Sequence, residues 1–337
     1  MTSGSTTSRK EREMRKTGAA VAFYALSIVL LPVSLLGYAI WVGKLRAAKP
    51  SGVSTSAQAP LSARWAMHNF GVREDQAANL LLPVLPGVPW LGMRLAFWPT
   101  VLAHRVTGYV SKTFRYPFEG RIPPQAEASA RVTFFDSAVD RFLPAIDQLV
   151  ILGAGFDTRP YRLPQDTPVS SFEVDAPKTQ AVKRAMLDKA GIDARKVTFV
   201  PADFEKDDWL AKLADAGFDP GRPVLFLWEG VTMYLEQAAI EDTLSKVAGC
   251  ARGSLLAFDY FTTETLESTM LYWRYGRAAA KAVGEPLKFG VDSTPPSRER
   301  LSELLRSCGL AILEQHVLGR ETTKKRAWGG FAIAVVQ

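Results

Sequence analysis

LVILGAGFDTRPYRL, residues 149–163, is the stretch whose reading decides the fold. Its opening run, Leu149 to Leu152, is wholly apolar and short, the pattern of a strand buried on both faces. Gly153-Ala154-Gly155 then breaks it. Glycines at that point let the backbone approach a ligand with no Cβ in the way. A strand running into such a turn brings the chain against a nucleotide-like cofactor, and the residues downstream select which one.

Short apolar runs and helical patterns alternate from about residue 131 onward, which predicts a parallel sheet with helices on both faces. The predicted strands are 148–152, 170–175, 197–203, 224–229 and 254–259. Helices are predicted at 177–190, 205–216, 236–248 and 297–308, the last with Ser297 as N-cap and Gly309 as its stop. Two further strands, 311–318 and 331–337, read as an antiparallel pair. The fold class is therefore α/β, a doubly wound, mostly parallel sheet of about seven strands that ends in an antiparallel hairpin.

Ligands of open α/β sheets sit beyond the carboxyl ends of the strands, and four strand ends here carry suitable groups. Gly153 and Gly155 follow the first strand. Asp175 ends the second, placed to accept from both hydroxyls of a ribose. Asp203 ends the third, placed to accept from an adenine amino group, with Phe204 beside it to pack on the ring. Glu229 ends the fourth, at the cleft floor. Each alone is a weak signal, because acids at strand ends are often plain turn formers. In order and in register they indicate an adenosine-containing cofactor. A dinucleotide site calls for GxGxxG. Here Phe156, Asp157 and Thr158 follow Gly155, with no third glycine, and Asp157 repels a pyrophosphate. S-adenosyl-L-methionine (SAM) has no phosphate and carries a sulfonium and an ammonium, so acids near the glycine turn suit it. A nicotinamide or flavin cofactor remains the alternative.

Composition narrows the function classes. The chain has 337 residues and a net charge of +7. Residues 1–60 hold eight Lys/Arg against Glu11 and Glu13, a net of +6, so the remaining 277 residues are close to neutral. No groove-sized basic patch is left for nucleic acid. His68, His104 and His316 are scattered, and Cys250 and Cys308 lie 58 positions apart, which supports neither a metal site nor a disulfide.

The basic excess flanks GAAVAFYALSIVLLPVSLLGYAIWVG, residues 18–43, which is 26 residues without a charge. A bilayer core needs about 20 helical residues. Residues 17–43 therefore read as a transmembrane anchor, with Tyr38 and Trp41 near an interface and Pro32 tolerated inside. Residues 1–16 read as a disordered basic tail, 44–60 as a flexible linker, 61–130 as a helical, proline-rich cap, and 131–337 as the cofactor-binding domain. Residues 80–103 are apolar but carry Arg94 and four prolines. They read as a broken segment packed on the domain or dipping into the membrane surface, with a return pass as the alternative.

GAGFDTRPYRL, FEVDAPKTQAVKRAML, ADFEKDDW and LWEGVTMYLEQ resemble, in order and spacing, the leucine carboxyl methyltransferase family, in particular its bacterial, mycobacterial-type branch. The likeness covers roughly residues 125–262. It implies a class I SAM-methyltransferase sheet and SAM as cofactor. By the same resemblance Arg131 holds the SAM carboxylate, Gly153 opens the turn, and Asp175 is the ribose acid, with Glu173 as its substitute. Asp203 and Phe204 stand at the adenine, Glu229 near the methionine part, and Tyr234 on the turn after it. Asp157, Thr158 and Arg159 shape the pocket. Arg64, in SARWAMHNF, is a candidate for a further basic contact from the family's N-terminal helices.

The acceptor implied is a carboxylate, or a hydroxyl, on a small molecule or a protein, and the N-terminal third suggests a lipophilic one. A carboxylate is already ionised and needs no base, and no catalytic base is named by the sequence. Residues 262–296 form an insertion after the fifth strand that reads as a substrate lid, with Tyr272, Trp273 and Arg274 as acceptor contacts. Its alternative is a helix that simply packs on the sheet. The expected location is a membrane, with the catalytic domain on the cytosolic side where SAM is made. A SAM-binding regulatory protein without turnover, or a nicotinamide-dependent oxidoreductase, are the other functional classes.

Overall fold

The computed structural model describes residues 4–47, 57–86, 90–110, 114, 117–118, 121–282 and 284–337. Seven strands form one sheet: β1 (Gln148–Leu152), β2 (Ser170–Asp175), β3 (Val197–Pro201), β4 (Val224–Trp228), β5 (Leu255–Phe261), β6 (Leu310–Leu318) and β7 (Gly329–Val336). Their order is β3-β2-β1-β4-β5-β7-β6. The four pairings among β1 to β5 are parallel, and β7 enters antiparallel between β5 and β6. The order reverses at β1, so the switch-point crevice opens at the glycine turn.

The helices are α1 (Gly4–Val29), α2 (Leu31–Ala47), α3 (Gln58–Asn69), α4 (Gln76–Leu81), α5 (Trp90–Thr107), α6 (Glu127–Phe142), α7 (Pro177–Ala190), α8 (Trp209–Asp215), α9 (Gln237–Ala248), α10 (Thr263–Glu267), α11 (Leu271–Ala282) and α12 (Ser297–Ser307). The central strands alternate between two cores. Val150, Phe226, Trp228 and Leu256 pack under Trp209, Ile240, Leu244 and Leu301 of α8, α9 and α12. Leu149, Ile151, Leu225 and Leu227 pack under Phe134, Phe135 and Ala138 of α6. A third core joins α3, α4 and α5 to Met186 and Leu187 of α7, and Phe156 of the glycine-turn segment enters it. Both cysteines are free thiols.

The sheet matches the sequence reading, and the differences have local causes. Ser297 is the first helical residue and not the cap; its backbone N–H donates to Glu321 instead. Gly309 has a φ of +88°, the left-handed stop expected of it. The expected disordered tail begins a helix at Gly4, because Lys, Arg and Glu are good helix formers. Part of the expected linker, 48–56, lies outside the described residues, and α2 runs into its start.

The single transmembrane helix expected over 17–43 is not what the chain forms. No single helix among the described residues is long and apolar enough to cross a membrane; residues 14–29 and 31–41 form a pair bent by 56°. Pro32 lacks an N–H, and its ring crowds the carbonyl four residues back. Residues 80–103, expected to pack on the domain or dip into the membrane surface, do pack on it where they are described. Helix α5 lies on the domain, with Met93, Ala96, Val101 and Ala103 buried. Ser62 Oγ contacts Met93 Sδ at 3.6 Å, and Trp65 packs edge-on against Trp90 and Phe97. Helix α2 crosses the other side of α5 at two glycines: a Cβ on Gly92 lands 2.7 Å from the Trp41 nitrogen, and one on Gly37 lands on the backbone of Ala96.

Gly92→Leu therefore separates α2 from α5. Limited proteolysis should show cleavage within residues 14–47 at least ~10-fold faster than in wild type, with the catalytic-domain fragment as resistant as before.

Candidate functional site

The site is built outward from β1. Gly153 and Gly155 both have positive φ, +67° and +46°. A Cβ on Gly153 collides with the side chain of Val231, so glycine is required there by space as well as by φ. The N–H groups of Gly153 and Ala154 both donate to Val174 O, at 2.8 and 3.1 Å, which ties the turn to β2. Gly155 N–H donates to Asp175 Oδ2 at 2.6 Å, and Ala176 N–H to Asp175 Oδ1 at 2.6 Å. Burial raises the Asp175 pKa, and these two donors oppose the rise. Asp175 thus sits directly below the glycine turn. Glu173, its alternative, is taken up structurally: Lys183 pairs with it at 2.7 Å and Tyr161 donates to it at 2.9 Å.

Asp157, expected to shape the cofactor pocket, is a buried structural keystone. Its Oδ1 accepts from the Arg159 backbone N–H at 2.8 Å. Its Oδ2 accepts from Arg64 Nη2 at 3.0 Å and Arg159 Nη1 at 2.5 Å. The same two guanidinium nitrogens reach Glu229 Oε2, at 2.7 and 2.5 Å. All four residues are buried. Burial alone would raise the Asp157 pKa, but Arg159 and Arg64 outweigh it and hold the carboxyl well below its usual range. Arg159 Nε also reaches Asp136 at 2.8 Å; Arg73 bridges Asp136 and Asp75, and Thr158 donates to Asp75. Arg162 Nη2 completes this extension with Asp136 at 3.1 Å.

Arg131 lies beside the same strand end and not in that cluster. It pairs with Glu127 at 2.5 Å and with Asp259 at 2.9 Å, and its Nη1 is 3.0 Å from where a Gly230 Cβ would stand. Asp259 Oδ1 accepts from Gly230 N–H at 2.6 Å. Burial pushes the Asp259 carboxyl up to about 6, against the pull of Arg131.

The structure brings together Gly153, Gly155, Asp157, Asp175, Glu229 and Arg131. Asp203 and Phe204 stand further along the sheet edge. Asp203 pairs with Lys206 at 2.6 Å, and the Phe204 ring packs against Trp209. Tyr234 lies close enough to Arg131 to act on its charge. The lid residues divide. Trp273 packs on Phe261 and Trp328, as the plain packing alternative requires. Tyr272 is exposed and feels the charge of Glu127, and Arg274 is exposed on α11. Arg73 and Asp136 escaped the sequence reading altogether, and Arg64 entered it only as a candidate. Their partners are distant in sequence: Arg64 lies 93 residues from Asp157 and 165 from Glu229.

SAM fits this set on one observation. Glu229 Oε1 is buried with no hydrogen-bond partner among the described residues, an acceptor suited to an ammonium group.

Residues 120–248 match the model of the leucine carboxyl methyltransferase family. That segment contains the glycine turn and all three strand-end acids. A relative from Mycolicibacterium smegmatis, named "Putative S-adenosyl-L-methionine-dependent methyltransferase", is 38% identical over 168 residues, 49% of this chain and 51% of its own length. One of the same name from Mycolicibacterium gilvum is 35% identical over 191 residues, 53% of this chain and 59% of its own. The chain spans about half the length of the curated relatives it matches. Among solved structures, the magnesium protoporphyrin IX methyltransferase of Synechocystis PCC 6803 with bound SAH superposes loosely. Its TM-score is 0.40 at 12% identity, over 65% of this chain and 90% of that one. The family expected from the sequence is the one whose model matches, and the cofactor expected is the one in the names these relatives carry.

Two measurements check the site. Arg64→Met leaves Asp157 and Glu229 sharing one arginine, and urea unfolding should show a loss of about 3–5 kcal/mol. For Asp259, the folded carboxyl binds its proton more tightly than the unfolded chain does. Its contribution to stability is therefore present at low pH and lost as pH rises from about 4 to about 6. Carboxyl carbon shifts followed by NMR should give Asp259 a midpoint near 6; a midpoint near 4 contradicts the geometry.

Proposed function

We propose that this chain is a SAM-dependent methyltransferase that methylates an oxygen, a carboxylate or a hydroxyl, on a small, lipophilic acceptor or a protein carboxylate. The observation that carries the reading is the ordered set of strand ends around one glycine turn. Asp175 lies under Gly155 at 2.6 Å, and Glu229 closes the cleft floor. When bound, SAM supplies an electrophilic methyl group on a sulfonium. Everything else is the work of this chain.

In this reading Asp175 holds the ribose, Asp203 and Phe204 the adenine, and Glu229 the ammonium. Arg131, beside Gly230, is the basic group for a carboxylate, its charge balanced by Glu127 and Asp259 when no ligand is bound. Methyl transfer is an in-line displacement, and holding the acceptor oxygen in line supplies much of the rate. A carboxylate acceptor arrives ionised and needs no base. The exposed aromatic edge of α11, Tyr272 and Tyr275, offers an apolar wall to the acceptor. The N-terminal helices hold the chain at a membrane, with the catalytic domain on the cytosolic side where SAM is made.

The test is transfer of labelled methyl from SAM to membrane lipid extracts and to protein extracts, with Asp175→Ala as the blank. Losing two charge-assisted hydrogen bonds to the ribose should weaken SAM binding by on the order of 100-fold, read by calorimetry. Binding of SAM without transfer to any fraction would favour a regulatory protein, and binding of NAD(P)H in its place would overturn the reading.

A further inference from the structure

We propose that the outer face of α1 and α2 is a lipid-binding surface that lies in the plane of one leaflet of an anionic bilayer. The proposal deepens the membrane reading given above and does not depend on methyl transfer. Val21, Ile28, Val29, Leu31, Leu35 and Leu36 are 48–72% exposed. Large aliphatic side chains in that number on two consecutive helices form a patch that water-soluble surfaces rarely carry. Tyr24 and Tyr38, with apolar rings and polar tips, are exposed on the same helices, as residues at a headgroup boundary are.

The geometry favours lying in the leaflet over crossing it. Helix α2 has 17 residues, about 25 Å at 1.5 Å per residue, short of the roughly 30 Å hydrocarbon core. The 56° bend at Leu30 keeps α1 from extending it in a straight line. More decisively, α2 lies against α5 through Gly37 and Gly92, and α5 is fastened to the domain by Met93, Trp90 and Phe97. A helix held flat against a water-soluble domain cannot stand across a bilayer without dragging that domain inside. Close glycine crossings are also how helices pack where lipid surrounds them.

Charge selects the occupant. Arg15 and Lys16 are exposed at the start of the apolar stretch, and Arg9, Lys10 and Arg12 precede them in sequence. An anionic lipid surface attracts such a cluster. A second copy docked on the same face about a two-fold axis would set its own basic cluster against this one, with only Glu11 and Glu13 in the sequence of these helices to answer five Lys/Arg. Arg64 and Trp65 are neighbours on α3, one reaching Glu229 and the other carrying α5. The helix that closes the cofactor cleft is thus the one that roots the lipid-facing unit, and the cleft is held close to the leaflet.

The experiment uses the full chain and preformed vesicles of phosphatidylcholine with or without phosphatidylglycerol. Wild type should float with the phosphatidylglycerol vesicles and less with phosphatidylcholine alone. Leu35→Asp/Leu36→Asp should lose partitioning on the order of 100-fold, with unchanged circular dichroism and an unchanged SAM titration. Met14→Cys in a Cys308→Ser background should react with an impermeant maleimide added outside the vesicles. Absence of flotation overturns the proposal, as does protection of residue 14 until detergent is added. A lipid-free dimer that the double aspartate variant dissociates would assign the face to a second copy and also overturn it. SAM titration reads the methyltransferase proposal separately, so the two can fail independently.

Discussion

One buried ion cluster fixes the relation between the N-terminal helices and the sheet. Arg64 of α3 and Arg159 of the glycine-turn segment share Asp157 and the strand-end acid Glu229. The extension through Asp136, Arg73, Asp75 and Arg162 adds two acids and two bases, so the charges of the whole network balance. Such clusters add little net stability compared with apolar packing, but removing one member strands the others. What the cluster gives is position. It fastens a helix far upstream in sequence to the ends of β1 and β4, and so decides where the cleft is closed.

With α3 fixed, the surroundings of the glycine turn are fixed too. Gly155 faces Ala57 on one side, 3.1 Å from where its Cβ would be, and Asp175 on the other. Gly153 is pressed against Val231. Beside this turn stand the Asp175 carboxylate and Glu229, whose Oε1 has no hydrogen-bond partner among the described residues. Positive charge stands behind these acids in Arg64 and Arg159, and beside them in Arg131. Asp157 is buried with its charge taken up by Arg64 and Arg159, so it is not the free acid that the sequence set against a pyrophosphate.

How much of this was legible in the sequence follows from the range of the interactions. Parallel strands buried on both faces are continuous apolar runs, so β1, β2 and β4 could be read almost to the residue. Strand-end acids follow from their position after those runs, which is why Asp175 and Glu229 stand where expected. The ion cluster was not legible, because its members pair across 93 and 165 residues and an isolated arginine carries no sign of its partner. Arg131 shows the same limit. Its place ahead of β1 was readable, but its pairing with Glu127 and Asp259 was not. The N-terminal stretch misled for another reason. Its hydropathy is that of a span, while Pro32 and the glycine crossing with α5 bend it and lay it down. Hydropathy alone contains neither fact.

The measurement that bears most directly on the central claim is a crystal structure with S-adenosylhomocysteine bound. The ribose hydroxyls should lie on Asp175, the adenine edge at Asp203 and Phe204, and the ammonium on Glu229, with the Arg64–Asp157 pair intact. A ligand whose ribose lies away from Asp175, or one that enters only by breaking the Arg64–Asp157 pair, would contradict it.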